Sequence, residues 1–178
     1  MKLLFSRMIK AARLDLSFFE EVVAEPKTQG HSYWVVAILA MATGYGMFSR
    51  AGGMAVNICL ATTLVAWYIW AFTVYYFGRT FLFRDAVGQP DRKTIMRVVA
   101  FAQAPGLLRL LGVIPQVTVI IFLITSAWII LICVMGVQKA YQTPHTGRVA
   151  LLCVATWAVV LFVQGLFFII FLSVFGAS

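Results

Sequence analysis

The run MAVNICLATTLVAWYIWAFTVYYFG, residues 54–78, carries no charged side chain at any of its 25 positions. A bilayer core about 30 Å thick is crossed by roughly 20 apolar residues in a helix, and the core of a soluble domain needs no run this long. Composition agrees. Of 178 residues 62% are hydrophobic and 11% charged, with mean hydropathy +0.95. Soluble domains are about 45–50% apolar and about 25% charged, so this chain lacks the polar surface to cover a globule in water. The expected class is an all-α integral membrane protein.

Outward from this run, four more stretches are long and apolar enough to cross. The five expected spans are about 32–48, 55–77, 95–113, 116–138 and 149–174. Between them stand SRAGG, GRTFLFRDAVGQPDRK, IPQ and KAYQTPHTGR, each punctuated by glycine or proline. Pro115 is expected to open the fourth span, where its missing N–H costs nothing. The expected organisation is a cytoplasmic amphipathic segment over 1–30, then a bundle of five transmembrane helices over 31–178. The apolar stretch after Lys2 stops at Ser6 and Arg7, so the first span is expected to serve as its own insertion signal.

Orientation follows from the basic residues flanking the spans. With the N-terminus in the cytoplasm, twelve of the fourteen Lys and Arg fall on that side, and only Arg50 and Arg109 on the other. Five spans then place the C-terminus outside, at the plasma (inner) membrane of a cell. The net charge of +8 is explained by basic loops facing anionic headgroups, so nucleic acid is not expected as a partner.

In the first 25 residues Phe5, Ile9, Ala12, Leu16, Phe19 and Val23 recur at helical spacing. Ser17 and Glu20 match a capping box, so a second helix is expected to start there, and Pro26 ends it. The stripe is expected on the headgroups or on the inner end of the bundle; a docking helix for a cytoplasmic protein is the other reading.

Enzymatic chemistry finds little to work with. Asp15, Glu20, Glu21, Glu25, Asp85 and Asp91 all lie outside the spans, which leaves no intramembrane pair of carboxylates. His31 and His145 sit in boundary segments without a recognisable nucleophile, and Cys59, Cys133 and Cys153 stand singly. No catalytic residue, metal or cofactor is expected.

The polar signal is FAQAPGLLRLLGVIP, residues 101–115. Pro105 breaks the helix and, with Gly106, marks the expected kink. Ala102, Gly106 and Arg109 share one face of an α-helix, and two small residues on a face usually turn it towards protein. The pairs Ala40/Gly44, Ala42/Gly46 and Ala102/Gly106 are expected to pack helices within the chain. Counting 1.5 Å per residue places Gln164 near the depth of Arg109. The candidate polar cluster is therefore Asn57, Gln103, Arg109, Gln116 and Gln164. The competing expectation is that Arg109 reaches out to lipid phosphates.

The cytoplasmic amphipathic start, FAQAP in the third span, and AWIILICVMGVQKAY with Trp128 and Gly136 resemble the Yip family of polytopic membrane proteins (Ypt/Rab-interacting proteins), in its short bacterial form. So does the short loop to Arg148 that follows. The resemblance implies five membrane helices with a cytoplasmic N-terminus. Eukaryotic members are adaptors that bind prenylated Rab-type GTPases and sister Yip proteins. This chain lacks their long hydrophilic N-terminal segment, which counts against GTPase binding and for a bacterial plasma-membrane role. The expected function is a non-enzymatic multi-pass membrane protein that binds partners or organises the membrane, the expected partners being the lipid bilayer and a membrane protein or its own copies. The alternative is a small transporter, channel or lipid-handling protein using the polar cluster.

Overall fold

The computed structural model describes residues 2–175, with side chains described except at 2, 47–56, 58, 59, 168 and 170–175. Six α-helices follow in order: α1 (Lys2–Ala12), α2 (Leu16–Ala24), α3 (Gln29–Phe77), α4 (Arg92–Ala102), α5 (Thr118–Tyr141) and α6 (Thr146–Phe175). A 3-10 turn over Pro26–Thr28, a π turn over Gly78–Leu82 and a 3-10 segment over Ala104–Val113 join them. No strand occurs among the described residues.

The N-terminal segment is two helices. Leu14 adopts a left-handed conformation (φ 62°) just after α1, and Asp15, not Ser17, is the N-cap of α2. Two residues ahead of Ser17, Asp15 Oδ1 accepts from the Ser17 amide at 3.0 Å and from the Phe18 amide at 3.4 Å. Glu20 is thereby released to pair with Lys139 at 2.6 Å, which ties α2 to the end of α5.

The buried stripe also differs from the expected one. Leu4, Met8 and Ala11 of α1 and Phe18, Phe19 and Val22 of α2 face the core, whereas Phe5 (43% exposed) and Ile9 (52%) face away. Arg7 turns inward, donating to Glu21 at 2.6 Å and lying 2.8 Å from His31 Nδ1.

Although α3 is helical throughout, it is not a rod. The Tyr33 and Trp67 rings pack edge-to-face with centroids 5.7 Å apart. A straight helix would separate them by about 51 Å over their 34 residues. The chain therefore reverses between Tyr33 and Trp67, within α3. Two antiparallel arms result, one burying Val35, Val36, Leu39 and Ala40, the other Ala66, Trp67, Trp70, Ala71 and Val74.

The third expected span is bent rather than continuous. α4 starts at Arg92, ends at Ala102, bends by 41° and resumes as the 3-10 segment. Pro105 sits in the first turn of that segment, where its lost N–H is no loss. Pro115 lies in the following turn instead of opening α5, which begins at Thr118; Thr118 Oγ1 closes the turn on the carbonyls of Gly112 and Ile114.

Three helical stretches are long and apolar enough to cross a membrane: Leu60–Leu82, Thr118–Tyr141 and Thr146–Phe167. The bent pair makes a fourth if its halves count as one span. Their outward faces are apolar, with Leu123, Leu131, Leu151 and Phe162 each about 60% exposed or more. Such a belt is stable only against lipid or another apolar surface. Gly136 admits the inner packing, because a Cβ there would collide with Val98 of α4 and Phe19 of α2. Cys133 and Cys153, single in the sequence, meet as buried thiols across α5 and α6.

Asp91 caps α4, accepting from the Thr94 amide at 2.8 Å and from the Thr94 hydroxyl. Partial burial alone would raise its carboxyl pKa, but the Thr94 hydrogen bonds and nearby cations outweigh it and hold the group below the usual Asp range. Losing an N-cap costs about 1 kcal/mol, so Asp91→Ala is expected to lower the melting temperature in detergent by about 2–4 °C at pH 7. Because the folded-state pKa is depressed, this contribution is complete above about pH 4 and fades as pH falls below it. Melting curves of the two proteins should therefore converge in acid. A gap that widens there contradicts the cap.

Candidate functional site

Three-residue periodicity builds the site. In a 3-10 helix side chains three apart are eclipsed, so Gly106, Arg109 and Gly112 form one face. That face lies on the first arm of α3. Gly106 packs on Leu39, Gly46 lies directly against the backbone carbonyl of Arg109, and a Cβ on Gly112 would stand 3.3 Å from the Gly46 carbonyl. Gly46 thus packs within the chain, against a 3-10 partner, and Ala42 of the same expected pair is buried.

Held this way, Arg109 turns into the bundle. Its Nε donates to Thr125 Oγ1 at 3.2 Å and its Nη2 to Ser126 Oγ at 3.1 Å, both on α5. The guanidinium carbon lies 4.7 Å from the centroid of the Phe122 ring, a cation–π distance. All six acids of the chain lie outside the apolar spans, and none pairs with Arg109 among the described residues.

Beside Arg109 is a cavity of about 220 Å³ lined by both arms of α3, α4's end, α5 and α6. Gln103 and Gln164 line it together with Arg109, so three members of the expected cluster converge. The other two do not. Asn57 and Gln116 are exposed, the first on the outward side of α3 and the second in the turn before α5, and neither reaches the cavity. Sequence reasoning also missed Thr43, Trp67, Trp70 and Trp157 on its walls. Thr125 and Ser126 had a readable signal: adjacent hydroxyls in the middle of an apolar 24-residue helix.

The cavity's polar groups are incompletely used. The buried hydroxyl of Thr43 has no hydrogen-bond partner among the described residues. Gln103, only 6% exposed, lines the same cavity. Trp70 is anchored at the rim, donating from Nε1 to Thr156 Oγ1 at 3.1 Å, and Trp67 donates to the Met96 carbonyl at 3.3 Å.

A second arginine is structural. Arg97, counted above among the inner basic residues, is buried; it donates to the carbonyls of Val22 and Val23 at 3.1 and 3.2 Å and so caps the C-terminal end of α2. Among the described residues no group of His, Cys, Asp or Glu has the clustering needed to hold a metal ion.

The profile of the Yip1 domain family matches residues 15–175, from the cap of α2 to the end of α6. No curated protein and no solved structure matches the chain significantly.

Proposed function

We propose, from the premise that this chain belongs to the Yip1 domain family, that it is a non-enzymatic multi-pass adaptor that organises the membrane or holds a membrane-protein partner. The family match over residues 15–175 carries the reading. The apolar belt on α5 and α6 supports residence in the bilayer. Five spans are part of the proposal, the fifth being the first arm of α3, which lies antiparallel to the second. A cytoplasmic N-terminus, an inner-membrane location and self-association also belong to it. The excess of basic residues on one side supports that orientation. So does the gathering of α2, loop 83–91 and the α5 end at one end of the bundle, through Glu20–Lys139 at 2.6 Å and the Gly88 amide on the Tyr141 carbonyl at 3.2 Å.

A second reading, a small transporter or lipid-handling protein, draws its support from the cavity at Arg109. The two separate in liposomes carrying the purified protein. The adaptor reading expects fluorescent lipids and small solutes to cross no faster than in protein-free vesicles. Protein-dependent movement that scales with protein copies per vesicle overturns it in favour of the second.

A further inference from the structure

We infer that the cavity at Arg109 binds an anionic phospholipid, with the phosphate on the guanidinium and one acyl chain in the groove between α3 and α6. The inference stands on the cavity and holds whether the chain is an adaptor or moves lipid, since a lipid can be held without being carried.

Charge is the first reason. A guanidinium has five N–H donors, and Arg109 spends one on Thr125 and one on Ser126. Both acceptors are neutral hydroxyls. An unpaired cation in a low-dielectric setting is costly, and charges in such places are paired or solvated. The chain supplies no carboxylate here, so the counter-charge comes from outside it.

Unspent polar groups are the second reason. The Thr43 hydroxyl, which has no partner among the described residues, and the Gln103 and Gln164 amides line the same space. Neutral donors converging beside a cation suit the several oxygens of a phosphate, which accepts from all of them at once.

The third reason chooses lipid over a soluble anion. A groove of about 240 Å³ adjoins the cavity, walled by Val65, Val163 and Phe167 and sharing Thr62, Ala66 and Gln164 with it. It lies between the second arm of α3 and α6, whose outward side chains include Val65 and Phe162. Inorganic phosphate fills only the polar chamber. An acyl chain fills the groove, and the surrounding bilayer provides one at high local concentration.

Tryptophans make the test direct, because Trp67, Trp70 and Trp157 line the cavity. The full chain in a neutral detergent is titrated with phosphatidylglycerol or phosphatidylcholine brominated in the acyl chains, and tryptophan quenching is followed. Phosphatidylglycerol should quench saturably at a mole fraction about tenfold lower than phosphatidylcholine, the order of one charge-assisted hydrogen-bonded pair. Arg109→Gln should bring the two lipids together. Thr43→Val removes a hydroxyl that has no protein partner, so it should weaken phosphatidylglycerol binding about threefold while leaving the melting temperature unchanged. Millimolar inorganic phosphate should not displace the brominated lipid.

Equal quenching by both lipids overturns the proposal. So does a preference that survives both substitutions, and so does displacement by inorganic phosphate, which assigns the site to a soluble anion. If Arg109→Gln does not fold, Thr43→Val alone decides: an unchanged phosphatidylglycerol affinity overturns the assignment. Lipid movement in liposomes is a separate readout, so failure of binding here is distinguishable from failure of the adaptor reading.

Discussion

Gly46→Val is expected to destabilise the protein more than other single substitutions at its glycines, lowering the melting temperature in detergent by about 6–12 °C. A Cβ at position 46 falls on the backbone carbonyl of Arg109, closer than atoms can stand. Side chains can rotate away from such a collision; a carbonyl inside a 3-10 segment cannot move without its neighbours. The segment is held from the other side, where Arg109 reaches Thr125 and Ser126 and Thr118 grips the Gly112 carbonyl at 2.8 Å. Overpacking costs about 1–3 kcal/mol, and the upper end applies where backbone meets backbone. For a chain of this length each kcal/mol corresponds to about 2–4 °C. Gly165 is the control: nothing lies within 4 Å of a Cβ there, so Gly165→Val should melt near the wild type. Matching losses for the two variants would mean that the close approach of the first α3 arm to the 3-10 segment is not what stabilises this bundle.

That close approach was half legible. The pair Ala42/Gly46 announces a helix surface made for contact, and the glycines of SRAGG announce a turn between two apolar runs. The conformation of the partner is not. Counted as α-helix, Ala102, Gly106 and Arg109 share a face; as 3-10, the face is Gly106, Arg109 and Gly112, and Gly112 is the residue that meets Gly46. Pro105 forbids the regular α-helical bond but does not say which geometry replaces it. The N-terminal stripe failed for a different reason. α1 is apolar on two faces, Leu4–Met8–Ala11 and Phe5–Ile9, and one of them meets protein while the other stays exposed. In water the wider stripe would go inside; beside a bilayer, lipid is as good a solvent for it as the protein core, so hydropathy cannot choose. Polar residues are more readable, since each needs a partner. Depth counted along the helix brings Gln164 to the level of Arg109, and both line the cavity with Gln103. Asn57 and Gln116 begin the second and fourth expected spans on the outer side, which fixes their level but not which way each side chain faces, and both are exposed.

Reporter fusions should give an all-or-none result at the two ends of the chain. A reporter active only outside the cytoplasm is expected to be silent when inserted in loop 84–92 and fully active when fused after Ser178, and a cytoplasm-active reporter should show the reverse. The expectation rests on five crossings, and the first arm of α3 is the one on which the count turns. Positions 29–46 of that arm make about 27 Å of helix, close to the thickness of a bilayer core. The arm runs alongside the second one, with Tyr33 against Trp67, and extends to Gly46 beside Arg109 and Gly112. These contacts at the two ends of the arm support a crossing over an arm lying flat on the headgroups. The proposed orientation rests on arginines and lysines. Arg79, Arg84, Arg92, Lys93, Lys139 and Arg148 flank the connections at one end of the bundle, and the positive-inside bias predicts that this end faces the cytoplasm. Removing a crossing has a distinct signature. If the first arm stayed at the interface, four crossings would remain, and the fusion after Ser178 would report the same side as loop 84–92. That single observation would overturn the five-span arrangement and leave the reversal in α3 as a re-entrant hairpin.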